Sequence, residues 1–469
     1  MKAQYDIGLV GLGVMGRNFV LNLADHGHSV LGLDNDPEKG KQLKAEAGGK
    51  QVEAAAGPSE LVAGLKAPRT IILLVPAGNP VDAVIDELMP KLSPGDCLVD
   101  AGNSHFRDTE RRAEKLEAKG LHFIGMGVSG GEEGARRGPS LMPGGNKEAY
   151  ERLRPALQAV AAKVNGEPCV DYIGPKGSGH YVKMVHNAIE YGWMQLIAET
   201  ADILHRSIGM GWNEIADRFA EWNRGELEGF LVEITAEVLR KQDEGGGYLV
   251  DRIADVARQK GTGKWASEEG KTLQVPIPTI DQAVTWRDLS KWRVVREALH
   301  KQWSPARQML DVREELLEIA PRALYAGMLL TMDQGMALLA EASNAYHYDL
   351  NLASIARLWR GGCIIRAKSL ELVASAFGAE PTLPRLIADQ KTGEEVCDRI
   401  PHLRGFCRAA LLAEISIPSH SASIDYWDAV RDVELPMNVV QAQRDFFGAH
   451  GFERRDRPGV FHGDWKAKS

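Results

Sequence analysis

Ile7-Gly8-Leu9-Val10-Gly11-Leu12-Gly13-Val14-Met15-Gly16 opens the chain with a short apolar run, a glycine turn and the start of a helical pattern. In a strand-turn-helix unit of this kind, Gly11 permits the tight turn and Gly13 lets a pyrophosphate approach the backbone. Gly16 lets the helix pack on the strand, and the helix N-terminus faces the phosphates. Asp34 stands eighteen residues beyond Gly16, at the end of the next apolar run, Val30-Leu31-Gly32-Leu33. A carboxylate there can accept hydrogen bonds from the ribose hydroxyls of NAD but would meet the 2′-phosphate of NADP at like charge. Asn35 and Asp36 add no arginine. The turn therefore predicts a dinucleotide site that favours NAD over NADP.

Outward from this turn, apolar runs recur at Thr70–Val75, Cys97–Asp100 and His122–Gly125, separated by segments with three- and four-residue apolar spacing such as Asn18–Ala24 and Ala83–Leu92. Strands alternating with helices predict parallel βαβ units and a doubly wound sheet. From Gly179 the pattern becomes helical, with long periodicities over Gln195–Arg206, Ile215–Trp222, Gly229–Lys241 and Arg322–Ala345. Met194–Glu199 returns as Met336–Glu341, and Ile215-Ala216 with Trp222 returns as Ile355-Ala356 with Trp359, as in an internal repeat of helices. After Pro436 comes a last helical stretch, Val439–Phe447, and then a polar tail ending near Trp465. The expected division is a nucleotide-binding part over 1–178, an all-helical part over 179–435 and a tail over 436–469.

The 469 residues carry a formal net charge of -8, with 44% hydrophobic and 26% charged residues. Such a balance supplies no electrostatic reason to hold nucleic acid or an anionic membrane. Cys97, Cys169, Cys363, Cys397 and Cys407 form no C-x-x-C pair, as expected of reduced thiols in a cytoplasmic protein rather than a disulfide framework or zinc site. No signal-peptide pattern precedes Asp6, and no apolar run is expected to span a bilayer.

Lys183-Met184-Val185-His186-Asn187-Ala188-Ile189-Glu190-Tyr191 places Lys183, His186, Asn187 and Glu190 on one helix face. One face thus carries a potential base, a potential acid and two hydrogen-bonding groups; the competing reading is a solvated polar face. Val128-Ser129-Gly130-Gly131 follows a strand, and its small residues leave N–H groups open to a carboxylate, with the Ser129 hydroxyl beside them. A simple turn is the alternative there.

Taken together with Asp100-Ala101-Gly102-Asn103-Ser104, Gly134–Gly145, Gln259–Trp265, Trp359–Arg366 and Gln441–His450, these motifs make the chain resemble the 6-phosphogluconate dehydrogenases, a decarboxylating branch of the β-hydroxyacid dehydrogenases. The resemblance runs nearly end to end. It implies an α/β plus all-α architecture, with an N-terminal Rossmann-type doubly wound sheet, a large all-helical domain and a C-terminal tail. It further implies oxidative decarboxylation of 6-phosphogluconate to ribulose 5-phosphate, the pentose phosphate reaction, with Lys183 as base and Glu190 as acid and with no metal. Asn103, Ser129, Gly130, Gly131, His186 and Asn187 would hold the carboxylate and hydroxyls. Tyr191, Lys260, Thr262 and Arg287 would bind the phosphate, joined by Arg444 and His450 from the tail of a partner subunit in a homodimer. Gly11, Gly13, Val14, Met15, Gly16, Asp34, Val75, Ala77 and Asn103 would line the cofactor. Members that use NADP typically carry Asn-Arg-Ser/Thr where this chain has Asp34-Asn35-Asp36, and Val-Lys-Ala-Gly where it has Val75-Pro76-Ala77-Gly78. Both departures remove positive charge. Two competing functions remain: a dehydrogenase for a small unphosphorylated β-hydroxyacid, which would not need Lys260, Arg287 or Arg444, and a catalytically silent NAD-binding scaffold.

Overall fold

The computed structural model describes residues 4–307 and 309–465. Seven strands, β1 (Ile7–Val10), β2 (Val30–Leu33), β3 (Val52–Ala54), β4 (Thr70–Leu73), β5 (Cys97–Asp100), β6 (His122–Ser129) and β7 (Ser140–Gly145), form one sheet in the order β3-β2-β1-β4-β5-β6-β7. The first six run parallel, with Ile7 opposite Val30 and Gly8 opposite Ile71. Successive side chains point to opposite faces, so Leu9, Ile72 and Val99 join one apolar cluster while Val10, Ile71, Leu73 and Leu98 join another. Both faces are covered, which accounts for strands read as continuous apolar runs rather than alternating ones.

The strands expected from the sequence are all parallel, as the doubly wound reading requires, and the sheet gains a further strand that no apolar run announced: β7 pairs antiparallel to β6 over Ile124–Ser129. A parallel return needs a crossover of about a dozen residues or more. Here the connection, residues 130–139, is taken up by the short helix Gly131–Arg137, and the chain turns straight back. β3, a short edge strand, was not visible as an apolar run either.

Three of the four expected helical segments lie inside Ser178–Ile208, Trp212–Trp222 and Arg313–Tyr346, and the fourth, Gly229–Lys241, is the helix Phe230–Arg240 with its two capping residues. The two copies of the repeated segment sit on the two longest, Ser178–Ile208 and Arg313–Tyr346. These pack closely because small residues face large ones: a Cβ on Gly335 would stand 2.5 Å from the Ile189 side chain, and one on Gly192 2.6 Å from that of Thr331. Arg313–Tyr346 is, contrary to the sequence expectation, long and apolar enough to cross a membrane, but 94% of its apolar window is buried inside the protein. Its apolarity is used in packing.

Packing divides the chain into two compact units, Met1–Ser423 and Ile424–Ser469. The second contains the helix Met437–Gly448 and a hairpin of Phe452–Glu453 with Val460–Phe461.

Candidate active site

The carboxyl ends of the parallel strands carry the motifs of the first 131 residues. Gly11–Gly16 follows β1, Asp34 follows β2, Val75–Gly78 follows β4, Ala101–Ser104 follows β5, and Ser129–Gly131 closes β6. Strand order reverses between β1 and β4, and ligands of such sheets lie in the crevice at that point. The three glycines differ in what surrounds them. Gly11 has φ +98, and a Cβ there would stand 2.4 Å from the Leu74 carbonyl oxygen. One on Gly16 would overlap the Gly11 carbonyl, whereas one on Gly13 would meet open space. The turn is closed on the protein side and open where a pyrophosphate would lie, with Val14 exposed at the helix start. These residues fit a dinucleotide.

Asp34 accepts from the Leu12 N–H at 2.7 Å and the Asp36 N–H at 3.0 Å, and Lys39 Nζ lies 3.3 Å from its Oδ1. Burial opposes its charge, yet these three donors outweigh burial and hold the carboxyl below its ordinary range. The Lys39 contact was not foreseen.

On the Ser178–Ile208 helix the polar face is buried, which excludes the solvated reading. Lys183 is 6% exposed and His186 fully buried, while Glu190 keeps 20% of its side chain exposed. His186 Nε2 lies 3.3 Å from Ser129 Oγ, and its Nδ1 lies 3.1 Å from Asn187 Oδ1 and 3.9 Å from Glu190 Oε2. Asn187 Nδ2 donates to Thr262 Oγ1 at 3.4 Å. Burial lowers the Lys183 pKa from 10.5 against the pull of Glu190 and Cys363, and raises that of Glu190 from 4.5 against the pull of Lys183 and Arg287. His186 is pushed well below 6.5 by burial and then by Lys183. The face thus holds an amine disposed to be neutral, a carboxyl disposed to be protonated and an uncharged imidazole. Titratable groups shifted in opposite senses mark sites of proton transfer.

A second cluster adjoins the first. The Arg287 guanidinium lies 3.5 Å from the centroid of the Tyr191 ring, and a Cβ on Gly263 would stand 2.6 Å from that ring. Tyr191, Thr262, Arg287 and Asn187 are therefore brought together, while Lys260 is exposed on the loop leading to Thr262. Asn103, Ala77 and Val75 lie on the strand-end loops, the first two exposed. Gly130 (φ +106) and Gly131 (φ +62) end β6 in conformations that favour glycine, and a Cβ on Gly130 would stand 2.5 Å from the Gly362 carbonyl oxygen. Arg444 and His450 belong to the second unit.

Sequence reasoning missed what holds the strand-end loops. Arg112, fully buried, donates from Nη1 to Asp100 Oδ2 at 3.2 Å and Ser104 Oγ at 3.3 Å. Its Nη2 donates to the Gly78 carbonyl at 3.0 Å and Asp82 Oδ2 at 2.9 Å. One guanidinium thus ties the Val75–Gly78 turn to the Asn103 loop. Arg112 sits on the helix Phe106–Glu117, which the sequence reading did not single out, and Asp82 just before the Ala83–Leu92 segment read for apolar spacing; Asp100, quoted in a motif without a role, was the single available signal. Cys363 is a fully buried thiol, pushed up to about 12 by that burial.

Residues 6–174 match the family model described as the NAD binding domain of 6-phosphogluconate dehydrogenase, and residues 179–465 match that of its C-terminal domain. A decarboxylating 6-phosphogluconate dehydrogenase of Synechococcus elongatus is 48% identical over 99% of this chain and 100% of its own. An NADP(+)-dependent decarboxylating relative of Bacillus subtilis is 45% identical over 99% of each. Among solved structures, the Plasmodium falciparum 6-phosphogluconate dehydrogenase, described in apo form and in complexes with NADP+ and with 6-phosphogluconate, superposes with a TM-score of 0.95 at 39% identity over 98% of this chain and 100% of that one. With both halves matched and the fold shared along its length, the chain belongs to the 6-phosphogluconate dehydrogenase family.

Proposed function

We propose that the protein oxidatively decarboxylates 6-phosphogluconate to ribulose 5-phosphate and carbon dioxide, in the cytoplasm, with NAD as the favoured acceptor. The observation that carries this reading is the buried Lys183–Glu190 face beside Ser129, adjoining a Tyr191–Thr262–Arg287 cluster suited to a phosphate. Neutral Lys183 takes the proton of the C3 hydroxyl as C3 is oxidised. The bound nicotinamide supplies the hydride acceptor. Lys183, now an ammonium, polarises the new ketone oxygen, so the C1–C2 electron pair can move onto C2 as carbon dioxide departs. Glu190 then protonates that carbon, which becomes C1 of the product. Ser129, Gly130, Gly131, His186, Asn187 and Asn103 hold the carboxylate and hydroxyls; Tyr191, Lys260, Thr262 and Arg287 hold the phosphate through charge-assisted bonds.

The cofactor would lie on Gly11, Gly13, Val14, Met15, Gly16, Asp34, Val75, Ala77 and Asn103 in the nucleotide-binding part, residues 1–178. Asp34 supports NAD: its charge is stabilised where a 2′-phosphate would stand. The Bacillus subtilis relative is named for NADP(+); here the neighbouring cation, Lys39, is already engaged by Asp34. The helical part, 179–435, would bind substrate, and the tail, 436–469, would dock on the partner of a homodimer and bring Arg444 and His450 to its site. Initial rates with 6-phosphogluconate and each cofactor, with carbon dioxide measured alongside reduced nucleotide, test the reading. Absence of carbon dioxide, or turnover of small β-hydroxyacids in preference, would overturn it.

A further inference from the structure

In the second unit the helix Met437–Gly448 buries a single residue, and it is a carboxylate: Asp445, with its side chain 2% exposed. Phe446 and Phe447 beside it stay exposed. Asp445 Oδ1 accepts from the Gly451 N–H at 2.9 Å and from His462 Nδ1 at 2.7 Å. Its Oδ2 accepts from the Gly463 N–H at 2.8 Å and from Trp465 Nε1 at 2.7 Å. One turn earlier, Gln441 Nε2 donates to the Gly451 carbonyl at 2.5 Å, and Gln441 Oε1 accepts from Arg444 Nη1 at 3.0 Å. His450 stands between Ala449 (φ +50) and Gly451 (φ +74), both in the left-handed region. A Cβ on Gly448 would come within 2.6 Å of its ring. Polar contacts thus fix the segment: both Asp445 and Gln441 hold Gly451, next to His450, and Gln441 also holds Arg444, while Asp445 ties this turn to 462–465.

We propose that Asp445 and Gln441 are positioning residues, which fix the guanidinium of Arg444 and the imidazole of His450 relative to each other so that both reach one phosphate group. The inference rests on the reading that Arg444 and His450 bind the substrate phosphate. Asp445 binds the 451, 462, 463 and 465 positions and sets the path of the chain around His450; Gln441 links that path to Arg444. A carboxamide cannot replace the carboxylate, because its NH2 would face two of the four N–H donors.

The full-length variants Asp445→Asn and Gln441→Leu test this against Arg444→Ala, with steady-state kinetics in both substrates. Asp445→Asn should raise KM for 6-phosphogluconate by about tenfold or more, the scale of lost charge-assisted bonds. Its kcat at saturation and its KM for NAD should stay within about twofold. Gln441→Leu, a change at a half-buried side chain, should raise the same KM by less. A merely structural role would instead reduce the active fraction, scaling kcat and leaving KM unmoved. If Arg444→Ala raises KM for 6-phosphogluconate while Asp445→Asn and Gln441→Leu leave it unchanged, the positioning role is overturned and the phosphate reading stands. If Arg444→Ala also leaves it unchanged, the phosphate reading falls and the proposal with it. Should Asp445→Asn fail to fold by circular dichroism, the Gln441→Leu result decides.

Discussion

Gly127 on β6 leaves the space that Lys183 fills: a Cβ built on Gly127 would stand 2.5 Å from the Cβ of Lys183 and 3.0 Å from its Cγ. The aligned strand and helix therefore press the lysine stem against bare backbone, with Ser129 two residues further along the same strand. Gly127→Ala should displace the lysine rather than the sheet. The overpacking should cost about 1–3 kcal/mol in urea unfolding and lower kcat more than it raises KM for the cofactor. Unchanged kcat would show that Lys183 needs no such close seat.

Lys183→Met should abolish hydride transfer with substrate binding retained, whereas Glu190→Gln should oxidise substrate but stall after it, each losing about 10²–10⁴-fold in turnover. Single-turnover formation of reduced cofactor separates the two. The opposed pKa shifts also set the pH dependence of stability. Lys183 titrates lower folded than unfolded, so the unfolded chain holds the extra proton up to 10.5; stability rises with pH across that window. Glu190 titrates higher folded than unfolded, so stability falls as pH climbs from 4.5 through its folded value. Unfolding curves of Lys183→Met should lack the rise, and those of Glu190→Gln the fall.

Asp34→Asn combined with Asn35→Arg should move cofactor preference from NAD toward NADP by removing a repulsion, freeing Lys39 and adding a phosphate ligand. The ratio of kcat/KM values for the two cofactors measures it. Equal or better efficiency with NADP in the unmodified enzyme would refute the assignment.

Mixing inactive Lys183→Met subunits with Arg444→Ala subunits, assayed at 6-phosphogluconate far below the raised KM of the latter, where it is nearly silent, should restore activity if the tail completes the partner's site. In a mixed dimer one site holds both intact groups and the other both defects. Random reassortment of equal amounts should then recover about a quarter of wild-type activity. Mixed dimers that form yet stay inactive would place Arg444 in its own subunit's site or outside any site.

The strand-helix alternation, the glycine turn and the face shared by Lys183, His186, Asn187 and Glu190 were legible in the chain because each depends on backbone geometry over a few neighbouring residues. Side-chain period, φ freedom at Gly11 and the helical repeat act locally and leave a local trace. The antiparallel turn of β7 was hidden because it follows from how little chain separates it from β6, not from any pattern within Ser140–Gly145. The seat of Arg112 between Asp100, Asp82 and Gly78 was hidden as well, since its partners come from two stretches of chain, 78–82 and 100–104, separated from each other and from Arg112. The same holds for proton chemistry. A lysine and a glutamate one turn and more apart are ordinary on an exposed helix; only packing against β6 and the neighbouring helices removes the water that would keep both charged. Asp445 makes the point for the tail, where one carboxylate gathers donors from 451 to 465 that no local periodicity could announce.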